Sequence, residues 1–475
     1  MIPRGARGLR LALLAALLVQ IALLAFTLVP FLRELTAFGP RLSRLKEAGA
    51  GSSLLVVLGV LEAAGLWAFG RRGAGFWERL GAYGLAHLSA AALAVYAVAL
   101  GTGNLRMWPA VLVLGVSSVA ALARMVFPPA APLQEAEPTQ RFGLADVGTL
   151  AVLAVLLLAT GYPYVQHEAM TIWGCRAHAF AAGGGLDAIG TCLAPSFPPL
   201  FSIALWFGAH DPFLAGRVFA WLFLALLVPV FRAAASRVAG DLAGSLTLFL
   251  VVTVQVFRGA GSFEATGALL GLFAGAGLLL LSGERVAASA CLAGAVLAHP
   301  LGALLAGALL AVTLYFRIVR RVALPLWSFV PAALSGLSWL LRPAALRVPD
   351  RFFENEAPGL ALGVFTKGLP IAWLFSMGLG LAIWAFLAGL VVRRTGTRPF
   401  DTRFSLGVAS SGLFLVAALF ALAPLGVDPG AVLAPLGDGQ PATYATFLAY
   451  GLPRAVVPLL PFALLYAAAA VRAAD

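Results

Sequence analysis

The chain predicts an all-α, polytopic membrane protein, and three observations carry that expectation. Of its 475 residues 61% are hydrophobic and only 11% charged, whereas a soluble domain carries about a quarter charged residues. Its mean hydropathy is +0.96. The apolar residues also come in uninterrupted runs of about twenty, each closed by Arg, Gly or Pro, which is the length a helix needs to cross the hydrocarbon core.

Fourteen such runs are expected, near 11–32, 53–70, 80–101, 107–126, 146–163, 211–231, 239–257, 264–282, 287–299, 301–316, 322–341, 369–392, 404–424 and 453–471. The pair at 287–316 meets at Ala298-His299-Pro300. A single straight helix there would make thirteen and reverse every later span. The N-terminal run has an apolar core too long for a signal peptide and lacks a clear small-residue cleavage site, so it reads as an anchor.

Short loops rich in Lys and Arg stay cytoplasmic. With the N-terminus inside, most of the 32 basic residues fall on the cytoplasmic side, the exceptions gathering at Arg33 to Lys46 and Arg342 to Lys367. Both termini are then cytoplasmic. The net charge of +12 marks helix ends facing anionic lipid and not a nucleic-acid partner. A predominance of Arg over Lys with abundant Ala, Gly, Pro and Leu fits a high-GC bacterial genome, hence a bacterial inner membrane.

A polar, Pro-rich stretch from Pro128 to Arg141 is the best domain boundary. It divides a four-helix module at 1–127 from a second module at 146–475, with a cytoplasmic linker at 128–145. In the first module Glu62 and His87 lie at similar depth in adjacent spans, and a hydrogen bond between them is the simple expectation, because ionisable groups in lipid usually face a partner. The second module has short cytoplasmic loops and three larger extracytoplasmic ones, the largest at 164–210. Any site must therefore face outward. No Walker sequence or dinucleotide-binding glycine pattern is present, and Gly183-Gly184-Gly185 is a bare turn.

That largest loop and its edges, from Tyr162 to Asp211, hold three of five histidines and two of three cysteines. Cys175 and Cys192 are candidates for a disulfide, since oxidising compartments let one persist; two unpaired thiols are the bland alternative. Cys291 lies in a span and reads as packing. If the loop is helical, Trp173, Arg176 and Phe180 share a face, and Glu168, Thr171, Ile172 and Cys175 share another. A partly shielded carboxylate such as Glu168 can act as general base on a hydroxyl, although a lone loop Glu more often caps a helix.

The residues themselves resemble a family. His167-Glu168-Ala169-Met170-Thr171-Ile172-Trp173-Gly174-Cys175-Arg176-Ala177, then Gly183-Gly184 and Pro195-Ser196-Phe197-Pro198-Pro199-Leu200, are similar to the first outside loop of bacterial GT-C superfamily integral-membrane glycosyltransferases, with its W-D-A-W-x-x-W-x-x-(K/R)-A, Gly pair and H-P-D-Y-P-L-L. Glu168 stands at the acidic position, Trp173 and Arg176 at the Trp and basic positions, and Phe197-Pro198 at Tyr-Pro. Downstream, Gly261-Ser262-Phe263-Glu264 resembles G-Y-x-D, and Arg454 with Pro461 resembles an R-x-x-x-x-x-x-P pattern. The resemblance runs from Asp146 onward. The chain departs from it in Ser196 at the second acidic position and in Ala298-His299-Pro300-Leu301-Gly302 in place of T-K-x-E-G.

What the resemblance implies is a transferase that moves a sugar from a polyprenyl phosphate to a lipid, protein or glycan hydroxyl at the outer face, with inversion. Glu168 would be the base. Arg454, Arg258, Arg176, His299 and the basic loop residues Arg342, Arg347, Arg351 and Lys367 would be the candidates for the donor phosphate, with Glu264 orienting one of them; their ordinary reading is snorkelling at helix ends. His167, Trp173 and Phe197 would contact acceptor or sugar. The family also leaves room for a divalent cation, weakened here by the missing carboxylate. Two other classes fit an oily chain of this kind: a lipid-linked-sugar flippase, and a membrane scaffold whose first module binds a partner.

Overall fold

The fold is seen in a computed structural model, which describes residues 76–126, 147–150, 169–192, 197–207, 215–239, 265–342, 400–422 and 455–472. All regular structure among them is helical. Among the described residues four helices are long and apolar enough to cross a membrane: Gly84–Thr102, Ala265–Ser282, Pro300–Ile318 and Phe400–Leu419. The expected spans near 11–32, 53–70 and 369–392 lie outside the described residues, as do those near 146–163 and 239–257 except for 147–150 and 239, the 128–141 boundary and Glu62.

We number the helices in chain order: α1 Phe76–Thr102, α2 Trp108–Val126, α3 Cys175–Ala181, α4 Leu200–Trp206, α5 Ala215–Ala239, α6 Ala265–Ser282, α7 Arg285–Ala298, α8 Pro300–Ile318, α9 Val330–Leu340, α10 Phe400–Leu422 and α11 Leu460–Arg472. A π-helical turn, Ala169–Gly174, precedes α3, and short 3-10 turns at Leu326–Phe329 and Val457–Leu459 lead into α9 and α11.

The central helix is α6. Its glycines alternate with leucines, so neighbours approach on every side and sixteen consecutive residues from Ala265 to Leu280 are buried. A Cβ on Gly271 would run into the backbone of Phe223 on α5, and one on Gly277 into the Phe462 ring. Small residues replace the hydrophobic effect as the organiser where lipid is as apolar as leucine. On α1, Gly81 and Gly84 take the same part against Leu226 and Pro229 of α5. Pro229 sits inside α5, where it removes one backbone donor.

The 287–316 pair is a hairpin. Ala298 ends α7, and His299 takes an extended conformation (φ −155°, ψ 147°) before Pro300 opens α8. Pro at the first helical position loses no hydrogen bond, because that N–H has no partner in a helix anyway. Gly302 folds back against the Ala295 carbonyl, an approach a straight helix cannot make.

Contacts between helix ends sort them into two levels. At one, Arg237 at the end of α5 donates to the Ser282 hydroxyl (2.8 Å), Ser328 donates to the Arg285 carbonyl (3.3 Å), and Phe316 packs edge-on to Phe400 (5.0 Å). At the other, the Leu186 N–H donates to the Gly103 carbonyl (3.0 Å), and Tyr96 meets Ser338 (3.2 Å). His299 and the 169–207 segments also lie at this second level, as their ring contacts show. Residues from Val286 along α8, α9 and α10, such as Ile318, Leu334 and Phe414, expose large apolar side chains. An apolar surface of that extent suits lipid and not water.

Candidate functional site

Polar chemistry among the described residues converges where the 169–207 segments meet the α7–α8 break. The π-helical turn holds one extra residue per turn and carries Trp173 at its end; such turns recur at functional positions. Trp173, Arg176 and Phe180 are all buried, as one inward face requires. Gly183, with φ +91°, supplies the left-handed residue that ends α3 and turns the chain.

Cys175 at the start of α3 is disulfide-bonded to Cys192, with Cα atoms 6.0 Å apart and 17 positions between them in sequence. The bridge closes the α3 turn onto the segment that leads to Phe197. Cys291 is a free buried thiol.

Trp173 is the centre of an aromatic cluster. Its ring lies 5.8 Å from Phe197, 5.7 Å from Phe201 in an edge-on arrangement, and 6.2 Å from the His299 imidazole. Phe197 itself sits 5.8 Å from His299. Phe201 belongs to α4, whose start follows Pro198 and Pro199. Sequence reading missed it, and its only signal was a helix start directly after the Tyr-Pro-like pair.

Arg176 is fully buried. Its guanidinium lies 5.5 Å from the Trp173 ring centre, and Nη1 donates to the Phe197 carbonyl at 2.9 Å. A charge–carbonyl bond of that length is worth more than a neutral one. Arg176 therefore joins the π-helical turn to Phe197. Trp173, 2% exposed, supports Phe197 and His299. Phe197 stays half-buried and keeps an edge for a ligand.

His299 is the polar group at the centre. Its Nδ1 accepts from the Leu301 N–H at 3.1 Å, capping α8. That bond fixes the tautomer, because a neutral imidazole that accepts at Nδ1 carries its proton on Nε2. Accepting at Nδ1 also makes the imidazole neutral, so to a phosphate partner it offers a hydrogen bond from Nε2 and no charge.

The remaining expected site residues, His167, Glu168, Arg258, Glu264, Arg351, Lys367 and Arg454, lie outside the described residues. His87 is half-buried on α1. Among the described residues no group of three or more His, Cys, Asp or Glu is placed to hold a metal ion. No protein-family model, no curated protein and no solved structure matches the chain.

Proposed function

We propose that the chain is an integral-membrane glycosyltransferase that takes a sugar from a polyprenyl-phosphate donor at the extracytoplasmic face and passes it, with inversion, to an acceptor hydroxyl. The observation that carries the reading is the meeting of Trp173, Phe197 and His299. Two stretches more than a hundred residues apart in sequence, each singled out by the resemblance, come together at one end of the helix bundle.

The chemistry assigned to these residues balances. The Glu168 carboxylate takes the proton of the acceptor hydroxyl, whose oxygen attacks the anomeric carbon. The bond from that carbon to the phosphate oxygen breaks, and polyprenyl phosphate leaves with the electron pair. Arg454, Arg258, Arg351 and Lys367 supply positive charge to the departing phosphate, with Glu264 orienting one of them. His299 adds a neutral hydrogen bond from Nε2, directed by its own bond to Leu301. A group that is uncharged in both ground and transition states is positioned without the cost of burying an ion. The half-buried Phe197 edge receives the apolar face of the sugar, and Trp173, Arg176 and the Cys175–Cys192 bridge hold that edge in place.

The test is radiolabelled sugar transfer by the purified full chain from a polyprenyl-phosphate hexose or pentose to a lipid or glycan acceptor fraction. The reading expects transfer by the parent protein and a loss of at least a hundredfold in Glu168→Gln. A parent protein that moves the lipid-linked sugar between leaflets of a vesicle without transferring it would replace the enzyme with a flippase. Unimpaired transfer by Glu168→Gln would remove the base.

A further inference from the structure

Gly183-Gly184-Gly185, expected as a bare turn, is held by another part of the chain. Helix α1 ends at Thr102, and Gly103, with φ +76°, takes the left-handed position that stops it, its N–H donating to the Ala99 carbonyl at 2.8 Å. The Gly103 carbonyl in turn accepts from the Leu186 N–H at 3.0 Å. Gly185 lies so near that a Cβ there would run into this same carbonyl. Two backbones meet with no side chain between them, and Leu186 beyond them is 1% exposed.

Helix α1 itself is fixed to the helices around the site. The Ser89 hydroxyl donates to the Ala290 carbonyl of α7 at 2.7 Å, while Tyr96 meets the Ser338 hydroxyl at 3.2 Å and the Trp339 ring at 6.5 Å, both on α9. The turn after α1 is therefore an abutment of fixed position. From it a short series of contacts leads to the site. Leu186 opens a 3-10 turn that runs to Thr191. Cys192 follows and is bridged to Cys175, and Cys175 stands beside Arg176, which holds the Phe197 carbonyl. What moves the Leu186–Thr191 turn moves the ring edge that the transferase reading gives to the sugar.

We propose that the α1–α2 turn at Gly103 is a positioning element of the site, acting on Phe197 through the Leu186–Thr191 turn and the Cys175–Cys192 bridge. Helices that precede the 128–141 stretch then set how tightly the sugar is held. The consequence for the sugar rests on the transferase reading, and the mechanical link does not. Gly103 is a clean probe of that link. A Cβ there meets nothing within 4 Å, so a substitution acts on the backbone angle alone: Asn tolerates the left-handed region, and a β-branched residue does not. His299 is held by its own bond to Leu301, so the loss falls on sugar binding.

The experiment compares Gly103→Val, Gly103→Asn and the parent as purified full chains in two measurements. The first is the rate at which a water-soluble phosphine reduces the Cys175–Cys192 bridge, read by alkylation of the released thiols. Cys192 is 7% exposed, and the bridge of Gly103→Val should be reduced at least fivefold faster, with Gly103→Asn within twofold of the parent. The second is steady-state transfer from a polyprenyl-phosphate sugar. Gly103→Val should raise the donor KM at least fivefold with kcat within twofold of the parent, whereas a plain loss of folded protein would lower kcat and leave KM alone. Gly185→Ala, which sets a Cβ against the Gly103 carbonyl, should show the same pattern, and it carries the test if Gly103→Val does not fold. Parental reduction rates in both Gly103→Val and Gly185→Ala would overturn the proposal, as would a fall in kcat at parental KM. If the parent transfers no sugar, the transferase reading falls and the reduction rates alone decide the link.

Discussion

Helix α6 and helix α8 are equally apolar, yet 83% of the α6 span window is buried inside the protein and only 44% of the α8 window. Hydropathy places both in lipid and does not say which is central. The difference lies in small residues. Gly271 and Gly277 let the Phe223 backbone and the Phe462 ring close on α6, whereas α8 turns Ala303, Gly307 and Tyr315 outward. The second difference is at their ends. Thr266 is the one polar side chain in the buried run of α6, while α8 begins with a break at His299 that delivers a neutral hydrogen-bond donor to a cluster of rings. One helix organises the bundle, and the other pair presents its chemistry.

The largest effect expected on that contrast is at the rings. Trp173→Ala should cost about 4 kcal/mol, the usual range for deleting a buried Trp, read as a drop in the thermal midpoint of the detergent-solubilised protein. It also removes the surface against which Arg176 lies. A loss under 1 kcal/mol would mean the cluster is a loose end cap and α6 alone holds the fold. Cys175→Ser should cost about 3 kcal/mol, as expected for a bridge closing a loop of this length, and reduction of the parent should reproduce it.

In α6, Gly271→Ala should cost about 2 kcal/mol through overpacking against Phe223. Phe414→Leu on the exposed face of α10 should change stability by less than about 0.5 kcal/mol.

Much of this was legible in the chain. Apolar runs announced α1, α6, α8 and α10, while Ala298-His299-Pro300 marked where two helices could meet and left one straight helix open until the extended His299 settled it. The loop around Cys175, Trp173 and Phe197 stood out by its polarity against an oily background. What could not be read was anything decided by packing between distant helices. Phe201 joins the cluster because α4 lies against the π-helical turn, and Tyr96 meets Trp339 across 243 positions; neither carries a periodic signal. The inward turn of Arg176 was hidden for a related reason. A basic residue in a polar loop reads as surface until the Phe197 carbonyl and the Trp173 face are seen to enclose it.

The central claim is that the His299 break and the 169–207 segments make one reacting site, and steady-state transfer by His299→Gln tests it most directly. With a polyprenyl-phosphate sugar as donor, the account predicts a fall in kcat of at least tenfold with little change in KM, because a positioned donor acts on the phosphate as its charge grows. A kcat equal to that of the parent protein would contradict it.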